Sequence, residues 1–448
     1  MENLLALSLA ALIVMDGAWF QRVLERRVIA GLENATGGRV EIGHFRFKPW
    51  LFQITLQKLV IHGSEAAGEA PLISVYEVDA GLSPAQLFHQ RLRLRHLDMD
   101  QLQVRLHTDS QGITNLPHRK VQAAQPGLAD LMNLSIGRLT ISHSLFFWNN
   151  QQQSVELEAR ELAVLLRMTK GHYNGAISSS ATTIRSSHWS SPTINFNSRF
   201  ELSATSLAFS SFAWQTQGTS GEAAFTVIPQ PAVQASGSFH GSADIPSLAR
   251  FIGASELRAG TLQIEGTAVY QDGAISARGR AQARQVAILT SAFPPLSVEA
   301  TTSYAWENRR LSLTNLVASV WGGTVQGTLE ADFQSLPAKF HLNSRLHQMR
   351  LDNFLRPVRT PSVLLAQLHP ASTADGTLNA TWTGRGEGLK ADFDLAMQAP
   401  TRTPPGVLPV SGAARGTLED GRSLTLHLAA AEFHTPHSHI TAQGTLAE

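Results

Sequence analysis

The sequence predicts a mostly β chain: an elongated, twisted antiparallel sheet preceded by an N-terminal membrane helix and a short amphipathic helix. Three observations predict it. Apolar and polar residues alternate with a period of two over most of the length. Beyond residues 20–35 no long stretch keeps helical spacing. The polar positions are filled by Ser, Thr, Gln, Asn and Gly rather than by ions: charged residues are 16% of the 448, against about 25% in an average soluble protein.

The order of elements begins with LLALSLAALIVM, Leu4 to Met15, in which Leu4, Leu5, Leu7, Leu9, Leu12, Ile13 and Val14 give residues 1–20 the surface of a membrane anchor. The run is shorter than the roughly 20 apolar residues that span a bilayer. No small-x-small cleavage site follows it, which favours an uncleaved anchor over a removed signal. Arg22, Arg26 and Arg27 follow the run and no Lys or Arg precedes it. Taken literally, the positive-inside rule leaves the bulk of such a chain in the cytoplasm. A periplasmic bulk instead requires basic residues upstream of Met1.

Phe20, Val23, Leu24, Val28 and Leu32 then recur at three- and four-residue spacing, predicting an amphipathic helix that stops at Thr36-Gly37-Gly38. From Arg39 the period becomes two. Val40 and Ile42 form one alternating set, and Phe52, Ile54 and Leu56 a second. Leu92 and Leu94, Leu97 and Met99, then Leu102, Val104 and Leu106 continue the pattern with slips of parity between sets. Each slip predicts a bulge or turn, because a one-residue shift would otherwise turn the apolar side outward.

Breaks in the pattern are expected at His118–Gly127, at the Ser/Thr-rich stretch Asn174–Asn197, at Arg356–Thr373 (a short helix) and at Pro400–Pro409. A degenerate repeat of strand, turn, strand and glycine relates Asn308–Leu329 to Gly421–Leu446. Gly266, Gly279, Gly327, Gly384 and Gly444 are expected where strands end or bulge.

Several function classes are disfavoured. With 36 basic and 35 acidic residues and a net charge of +1, nothing steers the chain to nucleic acid. Cysteine is absent, so disulfides and thiolate chemistry are excluded. No phosphate-binding loop, dinucleotide fingerprint or serine-nucleophile motif occurs. Asp98 and Asp100 share a strand face and read as a solvated polar surface rather than a catalytic pair. Among 17 histidines the densest group is His434, His437 and His439, with Glu432 the one acidic neighbour; no metal site and no cofactor are expected. The chain reads as a non-enzyme.

An amphipathic sheet must bury its apolar side. Two solutions fit the residues: packing on itself as a sandwich or barrel, or curling into a trough that takes an apolar ligand.

The succession of anchor, amphipathic helix, ATGGRVEIGHFRFKPWLFQITLQKLVIHG (Ala35 to Gly63) and LDMDQLQVRLHTDSQGITNLP (Leu97 to Pro117) resembles the N-terminal region of the AsmA/TamB family. The resemblance rests on Thr36-Gly37 before a strand, on Phe47-Lys48-Pro49, and on Val104 through Gly112, Asn115 and Leu116. It covers about the first quarter of the chain. It implies three parts: an anchor (1–20), an AsmA-like N-terminal region (21–117) and a repetitive β-groove (118–448). It implies the trough solution, an open, taco-like groove, in a single-pass protein of the bacterial inner membrane that conducts phospholipid between inner and outer membranes. Its partners are then acyl chains, the inner membrane and an outer-membrane protein. Phe52, Ile54, Leu56, Leu102, Val104 and Leu106 are the expected groove-lining residues near the membrane. Two alternatives stand beside this one: an assembly factor for outer-membrane β-barrels, as for TamB-like members, and a surface β-repeat adhesive protein.

Overall fold

The computed structural model describes residues 17–65, 68–83, 94–117, 136–187, 190–229, 232–252, 257–288, 296–350, 370–384, 386–402, 406–420 and 424–447. The expected anchor residues Leu4 to Val14 and the break at His118–Gly127 lie outside them. Among the described residues no helix is long and apolar enough to cross a membrane. The fold is mostly β, its strands predominantly antiparallel, and the chain divides into two compact units, Met1–Ala235 and Ser236–Glu448.

The first unit opens with the helix Ala18–Thr36, where the three- and four-residue spacing places one. Gly37 ends it at φ 78°, a left-handed conformation that glycine adopts without steric cost, and its N–H donates to Glu33 O at 2.7 Å. The helix lies against β1 (Val40–Lys48). Among the described residues β1 pairs on one side only, with β2 (Gln53–Ile61). A bare strand edge invites pairing with other chains, and here helix side chains occupy part of it. The Gln21 amide bonds both backbone groups of Phe47, accepting from its N–H and donating to its carbonyl at 2.8 Å each. Glu33 Oε1 accepts from the Val40 N–H at 3.2 Å.

Among the described residues nine further strands follow in this unit: β3 (Ile73–Leu82), β4 (Leu94–Asp100), β5 (Gln103–Thr108), β6 (Arg138–Asn150), β7 (Val155–Thr169), β8 (His172–Ser186), β9 (Ile194–Leu202), β10 (Leu207–Thr216) and β11 (Thr219–Ile228). The parity slips are real irregularities. Arg95 is an extra residue between the pairs Gly81/His96 and Leu82/Leu94, and Gln101, at φ 52°, separates β4 from β5.

Three expectations need correction. The sheet is not a pure antiparallel meander, since β4 and β5 both run parallel to β6; residues 109–137 supply the crossover of a dozen or more residues that parallel pairing needs. The stretch Asn174–Asn197 is no linker, because Asn174–Ser186 belongs to β8 and Ile194–Asn197 to β9. Phe52 is not on a strand: Pro49 starts a tight helical turn over Pro49–Leu51, and Phe52 closes it at φ 48°. Proline presets the backbone angle of such a turn, which overrides the apparent alternation of Phe52 with Ile54.

The second unit follows from β12 (Gln234–Asp244) and the short helix Ile245–Ile252, capped by Asp244 Oδ2 accepting from the Ser247 N–H at 2.8 Å. Then come β13 (Leu257–Gln271), β14 (Ala274–Ile288), β15 (Leu296–Glu307), β16 (Arg310–Val320), β17 (Gly323–Asp332), β18 (Lys339–Arg350), β19 (Pro370–Ala371), β20 (Thr373–Thr383), β21 (Glu387–Gln398), β22 (Leu408–Pro409), β23 (Ser411–Asp420), β24 (Leu424–Thr435) and β25 (Ser438–Ala447). The two-residue strands β19 and β22 pair in parallel with each other. From β13 to β25 the others pair in sequence order, each antiparallel to the next. Among the described residues four two-residue hairpin turns, Lys170-Gly171, Asp272-Gly273, Asn308-Arg309 and Trp321-Gly322, have both residues at positive φ. This is the turn whose twist matches that of the flanking strands.

The degenerate repeat has a structural basis. In β16–β17, Leu313 faces Leu329 and Leu316 faces Gly327; in β24–β25, Leu426 faces Leu446 and Leu428 faces Gly444. Gly266, Gly279 and Gly327 fall in mid-strand rather than at strand ends.

The first unit's core is Val40, Leu56, Leu59, Ile61, Val75 and Val78, and Ile29 and Leu32 of the helix pack against it. The second unit's principal core is Met349, Ala374, Met397, Ala414 and Ala431. Gln21→Ala removes both bonds to Phe47 at a net cost of about 1–3 kcal/mol. Amide exchange at Phe47 is therefore expected to accelerate by about tenfold, with Val40 unchanged, in hydrogen–deuterium exchange. Unaltered exchange at Phe47 would show that the glutamine does not guard this edge.

Candidate functional site

In each unit the strand registers align apolar residues into a row running across the sheet. In the first unit the row is Phe47, Ile54, Ala80, Leu97, Leu139, Leu166, Gly175, Phe200, Phe209 and Phe225, each the register partner of the next. In the second it is Leu262, Ala283, Ala300, Ala318, Val325, Leu346, Gly376, Leu395, Ala414, Ala431 and Ala442. These eleven strands at ~4.8 Å spacing make a row of about 48 Å.

Burial along these rows is uneven. At the start of the first unit the helix covers the apolar side, and Phe47 and Leu56 are only 4% and 5% exposed. In the second unit only Ala414 and Ala431 of the eleven are buried; the others, including Leu262, Val325, Leu346 and Leu395, keep partial access to solvent. A layer packed over this face would have buried them, as it buries Leu56. The neighbouring outward positions are mostly polar and exposed, and charges among them pair with each other: Arg415 with Asp394 at 2.6 Å, Lys390 with Glu419 at 3.0 Å. Exposed pairs of this kind add little stability; they keep that face wet.

Aromatic rings concentrate at the far end of the first row. Phe209 stacks on Phe225 at 4.5 Å between centroids and Phe196 on Phe212 at 5.6 Å, while Phe212 meets Phe225 edge-on at 6.0 Å. Regular alternation would send Phe209 and Phe212 to opposite faces. The register shift between them, at Ser210 and Ser211, turns both to one side. In the second unit Trp306, Phe333, Phe340 and Trp382 form a chain of ring contacts, ending in a parallel stack of Phe340 on Trp382 at 5.2 Å.

Two glycines make room for rings. A Cβ at Gly175 would run into the Phe200 ring and stand 2.7 Å from Leu166 Cδ2. At Gly266 it would stand 2.5 Å from the Tyr304 hydroxyl, which hydrogen-bonds to Glu265 O.

The expected lining residues are partly brought together. Ile54, Leu56 and Leu102 meet in the first core, which makes them packing residues beneath the helix rather than an open lining. Val104 and Leu106 lie on β5 and remain half-exposed. β5 does not lie beside β2, because β3 runs between them with Ile73 paired to both Ile61 and Val104. Phe52 belongs to the turn. The aromatic cluster of β9–β11 was missed; the signal was present in LAFSSFAW, where two serines stand in place of one between the phenylalanines and the single extra residue restores one face.

Asp98 and Asp100 are held by separate partners, Arg138 at 3.0 Å and His143 at 2.8 Å. The His143 and Ser142 hydrogen bonds hold the Asp100 carboxyl below its ordinary range, and the Asp100 bond raises His143. A general acid needs the opposite shift. On the last hairpin, Glu432, His434 and His439 converge, and His437 stays outside their group.

Fold and site together define a class: an amphipathic β-sheet protein with a long, partly uncovered apolar row. Comparison with protein-family models and with curated proteins finds no match.

Gly175→Val is expected to displace the Phe200 ring and destabilise the first unit by about 1–3 kcal/mol, the usual cost of overpacking, read as a lower urea midpoint. For the Asp100–His143 pair, the His143 contribution is complete below the free imidazole value of about 6.5 and is lost as pH rises through the raised value. The Asp100 contribution is complete above about pH 4 and is lost as pH falls through the lowered value. An NMR titration should place His143 above about 6.5, and Asp100→Asn should bring it back down; an unchanged midpoint in that variant contradicts the pairing.

Proposed function

We propose that the uncovered apolar rows hold lipid acyl chains and that the chain is a non-enzymatic phospholipid conduit of the bacterial envelope. In this reading the sheet curls into an open groove, the segment before residue 17 anchors it in the inner membrane, and the bulk lies in the periplasm. The observation that carries it is the partly exposed state of Leu262, Val325, Leu346 and Leu395 on a face whose reverse side is mostly polar, Val269 and Val317 excepted. The AsmA-like motifs between Thr36 and Leu116 point the same way.

The physical mechanism is passive. Each acyl methylene removed from water contributes about 0.8 kcal/mol, so chains are retained against the row. Successive strands present similar residues, with Ala and Gly between larger side chains, so neighbouring positions differ little in free energy and a chain moves along the row without a deep well. The helix-covered core at β1–β3 is not part of the path. In the first unit lipid meets the sheet beyond it, at the aromatic cluster of β9–β11; in the second it meets the row from Leu262 to Ala442.

The test is lipid capture by the full chain. Protein extracted without detergent is expected to retain phospholipid detectable by mass spectrometry. Leu262→Glu and Leu395→Glu should each reduce capture of a fluorescent phospholipid by about tenfold or more, because a carboxylate cannot be buried against acyl chains without a large penalty. Thr377→Glu, on the polar face, should leave capture unchanged. A wild-type chain that captures no lipid, or glutamate variants that capture as much as wild type while keeping their β circular dichroism, overturns the reading.

A further inference from the structure

We infer that Glu432, His434 and His439 form a binding site for a divalent first-row transition metal, with Zn2+ as the reference ion. The site does not depend on the lipid reading. Its three residues lie on the polar side of the hairpin β24–β25, opposite Phe433 and Ile440.

The register builds the site. His434 and His439 are direct cross-strand partners, and Glu432, two residues before His434, shares its face. Both imidazole Nε2 atoms point at one carboxylate oxygen: His439 at 2.8 Å and His434 at 3.1 Å from Glu432 Oε1. The rings lie parallel, 4.5 Å between centroids and 5° between planes. All three ligand atoms fall within 4.8 Å of one another.

Geometry and donor type agree. Ligand atoms about 2.0–2.1 Å from a tetrahedral ion stand roughly 3.3 Å apart. The carboxylate-to-imidazole separations need to open by only a few tenths of an ångström. All three side chains are about half exposed, so little packing resists that movement. Two imidazoles and a carboxylate favour Zn2+, Cu2+ or Ni2+ over Mg2+ and Ca2+, which take oxygen ligands. Three protein ligands leave a fourth position to water or to a ligand from another molecule. An ion held here bridges β24 to β25.

Isothermal titration of the full chain with ZnCl2 in a non-chelating buffer at about pH 7.5 tests the site. One equivalent is expected to bind more tightly than any weak sites at the other histidines. Glu432→Gln, His434→Ala and His439→Ala should each weaken that equivalent by about tenfold or more, while His437→Ala leaves it unchanged. At pH 5.5 binding should largely disappear, because protons compete for the imidazoles. MgCl2 should give no comparable signal. The inference fails if wild type shows no saturable Zn2+ binding, or if the His439→Ala or Glu432→Gln chain binds as wild type does. Lipid capture by the same variants should be unchanged, so failure here and failure of the groove reading are separable.

Discussion

The constraint on which this protein depends is that a pleated sheet with one apolar side must find something to cover that side. The molecule meets it in different ways along its length. At β1–β3 the cover is the N-terminal helix, whose Ile29 and Leu32 complete a core with Leu56, Leu59 and Val78. The same helix stands against the edge strand, so one element covers a face and guards an edge. In the second unit much of the burial is achieved by small residues: Ala374 pairs with both Met349 and Met397, and Ala414 pairs with Ala431 on the row that carries Leu346 and Leu395. Larger side chains on the same row remain partly in contact with water, and this unfinished burial distinguishes the second unit from an ordinary sandwich core.

Much of this was legible in the residues because period two is a strong signal when one face is wet. Helix spacing from Phe20 to Leu32, and the stop at Gly37, were sufficient to place the one long helix among the described residues. The parity slips near Leu94 and Met99 correspond to an extra residue at Arg95 and a left-handed Gln101, since a strand that must keep its apolar side inward has few other ways to accept a slip. Glycines were harder to read. Gly266 and Gly279 pair with each other in mid-strand under Tyr304, a space requirement rather than a turn requirement, and composition does not separate the two.

What could not be read has physical causes. Phe52 matched the alternation by accident, because Pro49 sets a turn whose last residue happens to be apolar. The Ser/Thr-rich β8 looked like a break because its outward side chains are polar and several of its inward ones are small, Gly175 among them. The parallel step between β5 and β6 is a long-range choice with no local marker. The convergence of Glu432 with His434 and His439 required the hairpin register, which two residues more or less in the turn would have altered; on the strand alone, His437 and His439 looked like the natural pair.

The tight two-residue turns have a bearing on how such a molecule changes size. Because each hairpin reverses the chain and hands on the same inward parity, adding or deleting a hairpin leaves every other strand's direction and sidedness intact, whereas a single added strand reverses all that follow. Length can therefore vary in steps of two strands, roughly 10 Å at a time, without redesign of the remainder. The sheet is in this sense graduated in hairpins rather than in single strands.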